Sequence, residues 1–233
     1  MRRGLLRSGR KLTFAALCLG SGTAAQAQLG ASLAVDSDYR FRGVSLSESG
    51  PSLRASFNYD APNGCYGGAS ATRVELARGD RYAQLLGYTG CVVPAGLGKH
   101  LEAGATFSHF TGDSSYDFAE GYVGVLAERW SARIHFAPDY FGRRVSTAYG
   151  EFDIHTLLDE NFRLFGHAGA IVRTGGDGGG ASRTRADVRL GAGWTGHGLD
   201  LQIAWLAASR GGPYPAVYDK RRGAWMAGAS YSF

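Results

Sequence analysis

Charged and histidine side chains recur at alternate positions along this chain. A clear example is the segment in which Glu151, Asp153 and His155 alternate with Phe152 and Ile154. Because alternate residues of a β-strand point to the same face, this spacing gathers polar groups on one face and apolar groups on the other. Facing rows of acids and bases across a passage orient and select charged or dipolar solutes. Nearly all the cations are arginines, whose planar fork suits carboxylate and phosphate groups.

We predict that these polar faces line the interior of a membrane-spanning barrel. The same charges could instead pair across neighbouring strands and fill a narrow barrel, so an open and an occluded lumen both remain possible on sequence alone. The predicted lining residues are Arg40, Arg42, Arg54, Arg73, Glu75, Glu102, Glu120, Arg133, His135, Glu151, Asp153, His155, Arg163, His167 and Arg189.

Patterns for catalysis are weaker. A lipid-modifying enzyme would need a serine beside a histidine that a third polar group orients. His109 has Ser108 and Ser114 near it in sequence, but neighbours in a strand point to opposite faces, so Ser108 and His109 cannot form a dyad. His155 and Asp153 share a face with no serine evident beside them. Gly-x-Ser-x-Gly and His-Glu-x-x-His motifs are absent, and we expect no enzyme activity, no metal site and no cofactor.

β-Strands must position these side chains. The sequence contains about twelve segments in which apolar and polar residues alternate, and each is expected to form a strand. The first runs from Leu33 to Phe41 and the last from Ala224 to Phe233. The last one ends on an aromatic carboxy terminus, which fits the strand that barrel insertion machinery reads. The pattern predicts an all-β fold, a transmembrane antiparallel up-and-down β-barrel of about 12 strands. Soluble β-sandwiches also contain alternating strands and are the main competing fold.

Connection lengths favour the barrel. With both termini in the periplasm, odd-numbered connections are extracellular and should be longer than even-numbered turns. Two connections do not fit, one around Gly79 and one from Val92 to Lys99, and the glycine run at 175–180 is expected to be an extracellular loop. The long odd connections are 43–50, 138–145, 174–183 and 209–221, and the short even ones are 61–64, 159–161 and 195–198.

The amino terminus resembles a secretory signal peptide. Five cations and no acid precede an apolar run from Leu12 to Leu19, which Ala25-Gln26-Ala27 follows as the expected cleavage site, and the apolar run is too short to span a bilayer as a helix. We therefore predict a signal peptide over residues 1–27 and a single barrel domain over residues 28–233. The five leader cations account for the whole net charge of +5, so the basic balance of the full chain gives no reason to expect nucleic-acid binding.

Two cysteines remain in the mature chain. Cys65 and Cys91 are spaced symmetrically about a proposed turn at 77–80, which makes them near-opposite neighbours on adjacent antiparallel strands. In an oxidising compartment this placement predicts a disulfide at the periplasmic end of the hairpin. Two unrelated thiols are the alternative.

One motif resembles a known family. The run from Tyr39 to Ser47, Tyr-Arg-Phe-Arg-Gly-Val-Ser-Leu-Ser, is similar to the opening of the TorF porin family, a proteobacterial family also labelled Gcw_chp. Residues 138–142, Pro-Asp-Tyr-Phe-Gly, resemble its middle motif, whereas Ala69 and Ser70 stand where that family's pattern suggests a Trp. The resemblance implies an outer-membrane β-barrel, with a channel as its expected activity and no defined substrate.

These observations predict an outer-membrane channel for passive diffusion of small hydrophilic solutes, charged ones included, located in the outer membrane of a Gram-negative bacterium. The alternatives are an occluded structural or adhesion barrel and an outer-membrane lipid-modifying enzyme. Expected partners are outer-membrane lipid, the solutes, the insertion machinery acting through Phe233, and further copies of the chain in a homo-oligomer.

Overall fold

The chain forms a closed antiparallel β-barrel of twelve strands. The computed structural model describes residues 28–76, 80–176, 183–214 and 223–233. The predicted signal peptide at 1–27 lies outside the described residues, as does most of the glycine run at 177–180. None of the helices in the described ranges is long and apolar enough to cross a membrane.

Successive barrel strands pair with one another, and the first and last strands close the ring. A two-stranded ribbon, formed by β2 and β3, lies between the first two barrel strands in sequence. The strands are β1 Gln28–Asp36, β2 Arg40–Phe41, β3 Val44–Ser45, β4 Ser52–Asp60, β5 Cys65–Leu76, β6 Asp80–Gly96, β7 Lys99–Phe110, β8 Phe118–Leu126, β9 Trp130–Ala137, β10 Ser146–Leu157, β11 Phe162–Gly175, β12 Thr184–Gly196, β13 Leu199–Ala208 and β14 Gly223–Ser232.

The last strand, β14, closes the barrel by pairing with the first strand, β1, as its sequence predicts. Within β14, Tyr231 lies opposite Leu33 of β1, and Ala229 lies opposite Val35. The backbone N–H of Phe233 donates to the carbonyl of Ala31 at 3.0 Å. Among the described residues, each of the twelve wall strands pairs with a neighbour on both sides, which removes the aggregation hazard of an open sheet.

The two faces of the wall differ in polarity. Outward-pointing side chains are apolar and solvent-accessible, for example Val123 at 59% and Ile134 at 61% exposure, whereas charged side chains such as Glu120 point inward and are buried. A soluble protein does not expose an apolar surface of this extent, but a barrel that faces lipid must. The predicted fold class, a transmembrane β-barrel, is confirmed.

With one exception, the connections at one end of the barrel are long, whereas the turns at the other end, where the termini lie, are short. We name the connections at the first end L1 to L6; the exception is L2, which spans only 77–79 and lies outside the described residues. The turns are 61–64, 97–98, 127–129, 158–161 and 197–198, and the loops are L1 37–51, L2 77–79, L3 111–117, L4 138–145, L5 176–183 and L6 209–222.

The expected long connection from Val92 to Lys99 is wrong. Strand β6 continues to Gly96, and only Leu97 and Gly98 form the turn, with φ of 53° and 67°. Positive φ at both central residues is the geometry that joins two twisted strands by the shortest turn. Pro94 inside β6 obscured this strand in sequence, since proline cannot donate to a ladder, and the pairing register shifts immediately after it.

The expected first strand from Leu33 to Phe41 is also corrected. Strand β1 ends at Asp36, and Arg40 and Phe41 belong to the β2–β3 ribbon within L1. Here the chain leaves the wall, because Arg40 pairs with Ser45 of its own loop rather than with a neighbouring strand.

Cys65 and Cys91 lie directly opposite each other on β5 and β6 and form a disulfide. Both alternate with inward residues, so the bond lies on the outer face near the short turns. It closes a loop with a sequence separation of 26.

We expect the double substitution Cys65→Ser with Cys91→Ser to lower the free energy of unfolding by about 3.5 kcal/mol, because the bond restricts the unfolded chain. Guanidinium unfolding of the barrel in detergent micelles measures the change. Reduced wild-type protein should unfold at the same midpoint as the double variant, and an unchanged midpoint in both would contradict the prediction.

Candidate functional site

The lumen is built asymmetrically. Strands β7 to β12 contribute most of the inward charged side chains. The facing wall, made of β13, β14, β1 and β4, is uncharged through its middle. Its inward residues there are small or neutral: Gly30, Ser32, Ala34, Ser56, Asn58, Gln202, Ala204, Gly228 and Ser230.

Loop L1 folds into the lumen at the end with the long loops. The N–H of Glu75 at the end of β5 donates to the carbonyl of Leu46 at 2.8 Å, and the hydroxyl of Tyr39 donates to Oε1 of Gln84 on β6 at 3.0 Å. At the tip, Gly43 lies so close to the far wall that a Cβ there would meet the Cβ atoms of Asp187 and Ala208 at 2.8 Å. L1 therefore crosses the barrel from one wall to the other.

Arg42 fastens the tip of L1 to the wall. Its two terminal nitrogens, Nη1 and Nη2, each donate to one carboxylate oxygen of Glu120 at 2.7 Å. Its guanidinium also lies 4.2 Å from the ring centroid of Tyr149 and 4.8 Å from that of Phe41. Burial alone would lower the pKa of Arg42, but Tyr140 and Glu120 outweigh it and raise the pKa above its ordinary value. The arginine therefore remains charged, and the pair is a fully formed bidentate ion pair.

An apolar cluster supports L1 from the other loops. The ring of Phe118 lies 4.9 Å from that of Tyr140 and 4.8 Å from that of Phe141, both in L4. The hydroxyls of Tyr140 and Tyr214, the latter in L6, lie 3.0 Å apart. Burial raises the pKa of Tyr140 to about 12, so its hydroxyl keeps its proton at neutral pH. This cluster fills the upper lumen with packed side chains.

A cavity of about 230 Å³ lies beneath L1. L1 forms one side of it through Arg40, Phe41, Arg42 and Gly43. The wall contributes Glu120, His135, Tyr149, Glu151, His167, Asp187 and Arg189, together with uncharged residues such as Thr106, Ser108 and Leu206. It therefore brings residues from L1 and from five charged strands to one small polar space.

His167 is held between two carboxylates. Its Nδ1 lies 2.8 Å from Asp153, and its Nε2 lies 3.2 Å from Asp187 and 3.0 Å from the hydroxyl of Tyr149. Together with Glu151, the ligand-type atoms of Asp153 and His167 lie within 4.8 Å of one another. Both ring nitrogens already have protein partners, so we interpret the group as a charge network.

A second network lies nearer the short turns. Glu102 accepts a hydrogen bond from Nε of Arg133 at 2.6 Å and another from the hydroxyl of Tyr66. Tyr66 is also hydrogen bonded to Tyr122. Nη1 of Arg133 lies 3.8 Å from Glu151. The buried carboxylate of Glu102 is thus satisfied by one cation and one hydroxyl, as a buried charge requires.

The structure places most of the predicted lining residues on inward positions or in L1. Arg163 makes a bidentate pair with Asp200 at 2.6 and 3.0 Å, and Arg54 lies 3.6 Å from Asp36. Arg73 and Glu75 instead lie on the outer face, because β5 turns its even-numbered residues inward. Glu75 pairs there with Arg81 at 3.6 Å. Strand β6, whose faces were ambiguous in sequence, likewise turns its even-numbered residues inward.

Sequence reasoning missed the tyrosines of the lumen. Tyr66, Tyr122 and Tyr149 all point inward and hydrogen bond to charged networks. Strand alternation placed Tyr122 and Tyr149 beside charged residues on a polar face, which was the available signal. A barrel tyrosine is equally at home in an interfacial aromatic belt, so residue type alone did not single them out.

The histidines considered for catalysis lack a nucleophile. Nδ1 of His109 lies 2.6 Å from Asp117, which orients the ring. Ser108 points to the opposite face, where its hydroxyl accepts a hydrogen bond from Gln84 at 3.2 Å. Among the described residues, no serine hydroxyl is hydrogen bonded to His109 or His155. The arrangement does not supply the serine–histidine pair of a hydrolase.

Comparison with solved structures shows the same architecture. The NanC porin matches with 9% identity and a TM-score of 0.59, over 88% of this chain and 99% of that chain. The KdgM porin, in complex with disordered oligogalacturonate, matches with 11% identity and a TM-score of 0.54, over 88% and 98%. LpxR from Salmonella typhimurium matches with 8% identity and a TM-score of 0.50, over 88% and 99%. At these identities the likeness concerns the fold.

A comparison with curated protein sequences found no match. The family model described as "Bacterial protein of unknown function (Gcw_chp)" matches residues 21–209. The match covers most of the chain, which therefore belongs to the Gcw_chp family.

Proposed function

We propose that this protein is an outer-membrane channel for passive diffusion of small hydrophilic solutes, and that L1 forms its constriction. The observation that carries the proposal is the polar cavity of about 230 Å³ beneath L1. A barrel whose only task was to fill the membrane would have no need of a charged interior, since buried charges are costly unless water or partners satisfy them.

The asymmetry of the lumen supports a passage along one side. Charged networks occupy the β7–β12 side, whereas the opposite side carries small uncharged residues such as Gly30, Ser32, Gly228 and Ser230. A transverse arrangement of charges next to open space orients dipolar solutes as they pass. The shared barrel architecture of the NanC and KdgM porins adds support at the level of fold, as does the resemblance of the Tyr39–Ser47 motif to the TorF porins.

We also propose that the barrel lies in the bacterial outer membrane, which its exposed apolar belt supports. Phe233 at the end of β14 serves as the signal for the insertion machinery, and the outer face leaves room for a homo-oligomer.

An occluded structural barrel is the second candidate, and one observation favours it. L1, L4 and L6 pack Tyr39, Phe141 and Tyr214 into a common apolar cluster at the end with the long loops. If L1 never moves, this cluster seals the lumen and leaves the cavity accessible from one side at most.

Conductance of the refolded mature protein in a planar bilayer distinguishes the two candidates. We expect discrete current steps that grow in proportion to salt concentration, because the cavity and the uncharged wall hold water. Heat-modifiable migration in gel electrophoresis serves as the control for correct folding. A folded barrel that never conducts would refute the channel and leave the occluded barrel.

A further inference from the structure

Arg189 differs from the other arginines of the lumen. It points inward from β12 into the cavity beneath L1 and lies opposite His167 in the barrel wall. Within the described ranges it has neither an ion-pair partner nor a hydrogen-bond partner, and its Nε is buried without one. Its guanidinium carbon lies 5.6 Å from the centroid of the Phe165 ring.

The acids of the cavity are already engaged. Glu120 is paired with Arg42 at 2.7 Å, Glu151 lies 3.1 Å from Nε2 of His135, and Asp187 lies 3.2 Å from Nε2 of His167. An entering cation would have to compete with these groups. An entering anion would meet Arg189, which forms no ion pair with any described residue, although its charge also acts on the carboxylate of Asp36.

A second polar atom of the cavity is also without a partner. Nδ1 of His135 is buried and makes no hydrogen bond, and His135 as a whole is only 9% exposed. Arg189 and His135 thus each place a buried nitrogen without a hydrogen-bond partner beside the same cavity.

We propose that the cavity beneath L1 binds the oxyanion group, carboxylate or phosphate, of a small hydrophilic solute, with Arg189 as its principal contact. The planar guanidinium donates to two oxygens at once and is held in orientation by the ring of Phe165. A buried donor left without a partner is costly, and the bound oxyanion removes that cost. The role of this site in transport rests on the proposed channel function, whereas binding itself does not.

Calorimetric titration of the folded barrel in detergent tests the site. The probes are glucuronate for a carboxylate, inorganic phosphate for a phosphate, and glucose as the uncharged control. We expect at least one anion to bind and glucose not to bind. Arg189→Gln should weaken anion binding at least about tenfold, the effect of losing a charge-assisted hydrogen bond, and Arg189→Lys should restore part of it.

Arg73→Gln is the matched control, since it removes the same charge from the outer face and should leave the affinity within about twofold. Equal affinity in wild-type and Arg189→Gln protein, or no binding of either anion, would overturn the site. Reversal potentials measured in a salt gradient separate the two proposals. Conductance with no anion preference would retain the channel and reject a role of the site in transport, whereas anion binding without conductance would reject the channel and retain the site. Heat-modifiable migration verifies that each variant is folded.

Discussion

Arg42→Ala is expected to raise the single-channel conductance at least about twofold, because it frees the tip of L1 from the wall. The substitution removes both hydrogen bonds to Glu120 and the stacking over Tyr149. It also leaves Glu120 as a buried carboxylate without its cation, which costs about 3–5 kcal/mol. Movement of L1 away from Glu120 lets water reach that carboxylate, so the open arrangement gains in population. Planar-bilayer recording of the folded variant measures the change.

A double-mutant cycle of Arg42 and Glu120 tests whether the loss of their ion pair causes the increase in conductance. Glu120→Gln alone should raise conductance less than Arg42→Ala, because a neutral amide is less costly to bury than an unpaired carboxylate. Adding Glu120→Gln to Arg42→Ala should therefore reverse part of the increase, and Arg73→Ala on the outer face should have no effect. Conductance in Arg42→Ala equal to that of the wild type would show that L1 is not the constriction.

Val123→Arg is expected to destabilise the folded barrel by about 2–4 kcal/mol, the cost of an arginine on the lipid face near the bilayer midplane. Val123 is 59% exposed and lies near the middle of β8, between Ala103 and Ile134 of the neighbouring strands. In a bilayer the new guanidinium would replace apolar contact with lipid. Denaturant-dependent folding into phospholipid vesicles gives the free energy.

Ser56→Arg provides the matched comparison, because Ser56 points inward from the uncharged wall. The added charge then meets water in the lumen, and we expect a change of stability of under about 1 kcal/mol. If Val123→Arg were as mild as Ser56→Arg, the outward face would be facing water, and the membrane barrel would be refuted.

The strands and most inward faces follow from the sequence because their signal is local. Glu151, Asp153 and His155 alternate with apolar residues, and period two specifies a strand with different surroundings on its two sides. The same signal placed Arg133, Arg163 and His167 inside the barrel. The partners of each strand did not have to be known, because the alternation within a single strand already shows which of its faces is polar.

Loop L1 could not be predicted in this way. Residues 39–42, Tyr-Arg-Phe-Arg, alternate as strictly as the strand before them, yet the chain turns inward there. The inward turn of the chain is determined by contacts with residues that are distant in sequence. Arg42 finds Glu120 on β8, and Gly43 fits against Asp187 and Ala208 on the far side of the barrel. Contacts between residues this distant in sequence leave no periodic trace.

Arg73 and Glu75 show the limit of assuming that charge points inward. They lie among the last residues of β5, next to L2. There a long side chain on the outer face can reach the polar region beyond the hydrocarbon layer of the membrane. Inward from the same strand point Thr72 and Val74, which are less polar. Near the rim of a barrel the lipid-side face is no longer strictly apolar. Whether the odd or the even residues of a strand point inward must therefore be judged from the middle of the strand.

The disulfide has a consequence for assembly. A shift of β5 by one residue against β6 would turn Tyr66 and Thr72 toward lipid and bring Arg73 into the interior, since each slip exchanges the two faces of a strand. The bond between Cys65 and Cys91 permits only the native alignment of this hairpin. A hairpin oxidised in the periplasm would thus reach the membrane with its inside and outside already assigned, ready to serve as the template on which neighbouring strands align.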